Sequence, residues 1–172
     1  LLLRWFQFGT FCHVMRIHGC RQPYTNLKNK AGEVREGTGA DNEVWSYGED
    51  AEKIMVKFIH VRELMKDYIR GIMKEAHEKG TPVMRTLFYE FPDDNCWDIY
   101  DEYMFGNEIL VAPICHEHET RREVYLPKGH SWTSAHNGEV YEGGKTYNID
   151  APIDTIPVFL KDGSNKYLIG EI

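Results

Sequence analysis

Several groups of side chains in this 172-residue sequence have types and spacings that invite chemistry. Glu90, Asp93 and Asp94 bring three carboxylates close together, and paired carboxylates are the usual apparatus of general acid/base work. Pro92-Asp93-Asp94-Asn95 is also a good turn sequence, which accounts for the cluster without catalysis. In His116-Glu117-His118 the alternate spacing sets both imidazoles on one face of a strand. No third ligand accompanies them and their neighbours are charged, so a solvated strand end is expected, with no metal and no cofactor. Cys12 and His13 set a thiol beside a base, but adjacent residues on a strand point to opposite faces and cannot easily share a proton. His18, alone after an apolar run, reads on its own as an ordinary structural histidine.

The elements that must position these groups change character near the middle of the chain. Residues 2–9 suit a helix ended by Gly9, and Phe11 to Ile17 suit a short apolar strand ended by Gly19. Residues 21–43 are rich in Pro, Gly, Asn and Asp among charges, the composition of a long loop, and long ordered loops are commonly functional. Ser46-Tyr47-Gly48-Glu49 fits a capping box, so a long helix is predicted from there to Gly80, with Ile54, Phe58, Val61, Met65, Ile69, Ile72 and Ala76 at helical spacing and Pro82 as a stop. Beyond Pro82 short apolar runs alternate with turn residues: 83–88, 108–114, 122–126, 131–134, 139–141, 146–149 and 155–160. These predict an antiparallel β-sandwich.

Composition excludes some functions. The formal charge of −7 has acidic and basic residues interspersed, with no basic stripe to neutralise a phosphate backbone, so no nucleic-acid partner is expected. No apolar run approaches the roughly 18 residues a spanning helix needs, so no membrane partner is expected either. Four scattered cysteines, Cys12, Cys20, Cys96 and Cys115, read as reduced structural thiols and favour a cytoplasmic protein. Leu1-Leu2-Leu3-Arg4-Trp5-Phe6 has the texture of the middle of a buried helix, which implies further chain upstream.

A series of ordered motifs carries a resemblance. Arg4-Trp5-Phe6-Gln7-Phe8-Gly9-Thr10-Phe11 with Met15-Arg16-Ile17-His18-Gly19 comes first. Gly80-Thr81-Pro82-Val83-Met84-Arg85 with Glu90-Phe91-Pro92-Asp93-Asp94 follows, then Tyr103-Met104-Phe105-Gly106 with Leu110-Val111-Ala112-Pro113. Val124 to Gly129, Gly138 to Gly144 and Ala151 to Phe159 continue the order. Together they resemble the C-terminal part of a glycoside hydrolase family 31 α-glycosidase, of the α-glucosidase or α-xylosidase type. The resemblance implies an α+β chain: the last strand and helices of a (β/α)8 TIM barrel over residues 1–92, incomplete, followed by an antiparallel β-sandwich domain over 93–172.

For mechanism the resemblance implies retaining hydrolysis by two aspartates, one a nucleophile and one an acid/base, both on earlier barrel strands and so absent from this chain. His18 corresponds to the family histidine that hydrogen-bonds the sugar next to the scissile bond, a task suited to a ring that offers both a donor and an acceptor. Arg16 is either a direct sugar contact or an ion-pair partner that orients the loop. Trp45 is either a platform for a sugar face or a hydrophobic staple for the following helix. Tyr100, Tyr103 and Phe105 line a sugar site or pack the domain junction. An α-linked oligosaccharide is thus the expected partner of the intact enzyme, with homo-oligomerisation as one way to cover an unpaired strand edge. A carbohydrate-binding or structural accessory module is the alternative. Three departures from the family pattern stand out: His13 where many members have proline, the polar 21–43 loop, and the tail after Ser164.

Overall fold

The structure, a computed structural model, describes residues 1–19, 21, 31–32 and 40–172. Most of the predicted 21–43 loop, together with Cys20, lies outside the described residues.

The chain opens with helix α1 (Leu2–Thr10), which runs through Gly9 and buries Phe6, Gln7 and Thr10 while Leu1 and Trp5 face outward. Arg4 fixes its orientation. The guanidinium donates to the carbonyls of Ala151 (2.6 Å) and Thr155 (2.7 Å), and Gln7 Nε2 donates to Ile153 O at 2.8 Å. The predicted strand at 11–17 does not form: residues 11–14 are a turn and 15–19 join no ladder. A barrel strand takes its hydrogen bonds from strands on both sides, and no described strand lies alongside this one. Arg62 holds the segment instead, donating to the carbonyls of Thr10 (2.8 Å), Cys12 and His13 (3.0 Å).

The long predicted helix is two, α2 (Glu49–Leu64) and α3 (Lys66–Lys79), broken only at Met65. Gly80 ends the pair in the left-handed conformation (φ 71°), the backbone geometry that glycine adopts without steric cost. The expected capping box at Ser46 is absent. Val44–Tyr47 form a 3-10 turn, the N-cap is Gly48 at φ 90°, and the Ser46 hydroxyl is buried without a partner. The glycine turn starts the helix too late for the hydroxyl to reach its first amides.

Eight short strands follow: β1 (Met84–Thr86), β2 (Tyr103–Phe105), β3 (Ile109–Val111), β4 (Arg121–Leu126), β5 (Ser131–Ser134), β6 (Val140–Glu142), β7 (Lys145–Asp150) and β8 (Val158–Lys161). The run predicted at 83–88 ends early because Leu87–Glu90 turns into a single helical turn. All pairings are antiparallel. Six strands form one sheet in the order β1-β2-β3-β8-β5-β6, and β4 with β7 makes a separate ribbon.

The six-stranded sheet is covered on both faces. Alternate residues of a strand point to opposite sides, so Phe105, Ile109, Val111, Val158 and Leu160 pack with Phe6, Phe11, Met55, Phe58, Val61, Met65 and Ile72 of the helical side. Met104, Leu110 and Phe159 turn the other way, into a second cluster with Val124, Leu126, Trp132 and Leu87. Three layers result: helices, central sheet and ribbon. This explains the unbroken apolar run Ile109-Leu110-Val111-Ala112, which alternation on a half-solvated strand would have interrupted. The tail completes the helical side, with Leu168 and Ile172 fully buried there.

Candidate functional site

In a (β/α)8 barrel the active site lies at the C-terminal ends of the strands, so the segment 16–19, read from the sequence as following such a strand, and the chain that crosses it are the place to build from. Asn42 joins them: its side-chain nitrogen donates to Gly19 O at 2.6 Å, and its oxygen accepts from Tyr47 Oη at 2.6 Å. Arg21 ties residues 40–46 to this segment. Its backbone bridges Ala40, its guanidinium donates to Asp41 O (3.0 Å) and Ser46 O (3.1 Å), and it lies 4.3 Å from the Tyr47 ring centre. The result is a groove of about 360 Å³ lined by Ile17, Asn42, Glu43, Val44, Trp45 and Ile59.

Trp45 reaches this groove and is 65% exposed, so it leaves a large apolar face open and does not serve as a buried staple. His18 and Arg16 are exposed beside it, and neither makes a hydrogen bond or ion pair with any described residue. Ile17 and Trp45 are therefore brought together, while the imidazole and the guanidinium stay free of the fold's own hydrogen-bond network among the described residues. The arginines that hold the flanking chain, Arg21 at residues 40–46 and Arg62 at residues 10–13, carry no local signal in the sequence. Their partners are backbone carbonyls distant along the chain, which no local pattern announces.

The other groups resolve into structure. Arg85, buried, donates to Pro82 O at 2.6 Å, pairs with Glu75 at 3.0 Å and binds Glu90. Asp93 is buried and accepts from the Tyr125 hydroxyl, which is the main cause holding its carboxyl below the usual range. Both carboxylates are thus committed to the junction. The Cys12 thiol donates to Phe8 O at 3.4 Å, and burial pushes it up despite the pull of Arg62, the reverse of an activated nucleophile. His118 and Glu117 are solvated, and among the described residues no His, Cys, Asp or Glu group is arranged to hold a metal. Tyr103 is at the junction, donating to Phe11 O at 3.2 Å, and Phe105 lies in the core. Cys12, Cys96 and Cys115 are free thiols. Among the described residues no helix is long and apolar enough to cross a membrane.

A barrel-end helix layer that shares a sheet with a β-sandwich defines the join between a (β/α)8 domain and its C-terminal β domain. Residues 1–71 match the Glycosyl hydrolases family 31 TIM-barrel domain and residues 80–164 match the Glycosyl hydrolase family 31 C-terminal domain, and the chain belongs to that family. It is 39% identical over 165 residues to "Alpha-glucosidase 2" of Bacillus thermoamyloliquefaciens, covering 95% of this chain and 19% of the relative. It is 31% identical over 172 residues to an "Alpha-xylosidase" of Saccharolobus solfataricus, covering 99% and 21%. A crystal structure of a family 31 alpha-xylosidase from a soil metagenome, complexed with xylose, superposes with a TM-score of 0.92 at 43% identity, over 98% of this chain and 25% of that one. The chain spans about a fifth of the length of the curated relatives it matches.

Proposed function

We propose that this chain is the C-terminal part of a retaining α-glycosidase that removes terminal α-linked glucosyl or xylosyl residues from oligosaccharides. In this reading the nucleophile and the acid/base are aspartates on earlier barrel strands, outside this sequence, and the chain supplies one wall of the sugar pocket. His18 hydrogen-bonds the sugar next to the scissile bond, Trp45 offers a stacking face, and Arg16 stands beside them as a sugar contact. The observation that carries the reading is the groove at Ile17 and Trp45, joined to Gly19 by the Asn42 side chain, with His18 left without a protein partner among the described residues. The names of the relatives support the substrate class. The commitment of Glu90 and Asp93 to structural partners supports the placing of the acid/base chemistry elsewhere.

Two measurements test it. The purified 172-residue chain is expected to leave p-nitrophenyl α-glucoside and α-xyloside intact, and steady turnover by it overturns the assignment of the catalytic groups. In the full-length enzyme, His18→Ala is expected to lower kcat/KM about tenfold, the worth of one substrate hydrogen bond, with an unchanged melting temperature. Unaltered kinetics would remove His18 from the pocket.

A further inference from the structure

A second concavity lies on the other side of the molecule's layering, between the segment leading into β2 and the β4–β7 ribbon. Its volume is about 570 Å³, within the roughly 300–1,000 Å³ range of small-molecule sites. Tyr100 stands at its rim, 95% exposed, with an aromatic face given wholly to solvent. Asp98, Asp101, Glu123 and Thr146 supply polar groups around it. Glu102 forms part of its lining and is different in kind: its side chain is only 4% exposed. One carboxyl oxygen accepts the Tyr125 N–H at 2.9 Å, at the edge of β4 that has no strand partner, and lies 3.5 Å from Arg122 Nη2. The other oxygen, Oε2, is buried with no partner among the described residues. An unpaired buried polar atom is costly, and a ligand hydroxyl would relieve that cost once a small turn of the Glu102 side chain opens the oxygen to the recess.

The surrounding groups narrow what could supply that hydroxyl. Anions are disfavoured, because among the described residues the one cation lining the recess, Arg122, has its donors spent. Arg122 Nε donates to Glu123 O (3.0 Å), Nη1 to Asp101 O (3.0 Å) and Pro113 O, and Nη2 binds the Asp101 carboxylate at 2.9 Å. Metal ions lack a ligand set among the described residues. An open aromatic face beside acceptors for hydroxyl groups matches a neutral polyol ring. We infer that this recess binds a saccharide unit, with Tyr100 as the platform for the sugar face and the Glu102 carboxyl group as a hydrogen-bond partner in its wall. Burial, outweighing the Tyr125 N–H and Arg122, pushes that carboxyl up to about 8, so near neutrality it carries a proton and offers a donor as well as an acceptor. The ligand class follows from these side chains and does not depend on the pocket at His18.

Titration of the protein with maltose, followed by backbone amide NMR, tests the site, with spermidine as a cationic control. Maltose is expected to shift the amides of Asp98, Tyr100, Asp101, Glu123 and Thr146. Tyr100→Ala is expected to weaken the response about tenfold, and being an exposed position it leaves the melting temperature unchanged. No shift at these amides, an equal response in Tyr100→Ala, or binding of spermidine in place of maltose overturns the inference. Shifts confined to 16–19 and 42–45 overturn it as well while favouring the sugar pocket of the proposed function. Shifts at both places support both.

Discussion

Glu102→Gln removes one titrating group from the interior and keeps its shape. In the folded chain burial raises this carboxyl from an ordinary 4.5 to about 8, and Arg122, closer to Asp101 at 2.9 Å than to Glu102 at 3.5 Å, does not offset the loss of water. The unfolded chain ionises near 4.5, whereas the folded chain holds its proton until about 8. Between those values the unfolded state binds fewer protons, so stability falls as pH rises, by about 1.4 kcal/mol for each pH unit. Below 4.5 both states are protonated and the penalty vanishes; above about 8 both are ionised and it stays constant. Glutamine has no such term. The variant should therefore gain on the wild type from pH 4.5 upward, by roughly 3 kcal/mol at pH 7. Urea denaturation of both proteins at pH 4.5, 6, 7 and 8, monitored by tryptophan fluorescence, measures the difference, from which the other titrating groups cancel. A difference that does not change with pH, or a variant that loses ground as pH rises, would refute the reasoning and place an ionised Glu102 in a working ion pair with Arg122.

Two further substitutions probe the junctions. Gly106 sits at φ 66°, and a Cβ there would strike Tyr68 Oη, itself bonded to Phe105 O at 2.7 Å, and come within 2.8 Å of Ile72 Cγ2. Gly106→Ala is expected to cost about 2 kcal/mol or more in the same denaturation assay, and a loss below 0.5 kcal/mol would mean that α3 yields easily. Ser46→Ala deletes a buried hydroxyl with no partner, so stability should hold or rise slightly. A loss of about 1 kcal/mol would instead mark Ser46 as a working helix cap.

The order of helices and strands was open to reading from the residues, because it rests on local period and punctuation. Ile54 to Ala76 repeat at helical spacing and Gly80 stops them, and the turns after Leu126 and at Gly138 bracket real strands. What failed depended on neighbours. The segment 11–17 has strand composition, but a ladder needs a second chain beside it and none of the described strands is there. Ser46 and Glu49 have capping-box spacing, but the φ of Gly48 decides where the helix begins. Asn42 in the groove's lining, and Arg21 and Arg62 in the chain around it, bind backbone oxygens chosen by the tertiary fold, so their roles leave no trace in sequence. The proposal for His18 rests on the motif around it, since an exposed imidazole after an apolar stretch has no signature of its own.

The central sheet belongs to the barrel end and to the sandwich at once, like a party wall between two houses. Phe105 faces one household and Met104 the other, so neither can be taken away without stripping one side of the same strand. Exchange between relatives should accordingly follow the wall rather than cut along it: a transplanted sandwich brings its own β2 and β3, and with them a surface cut to one particular set of helices. Divergence in this part of the molecule is then a matter of matched pairs, a larger residue on α2 or α3 answered by a smaller one on the sheet.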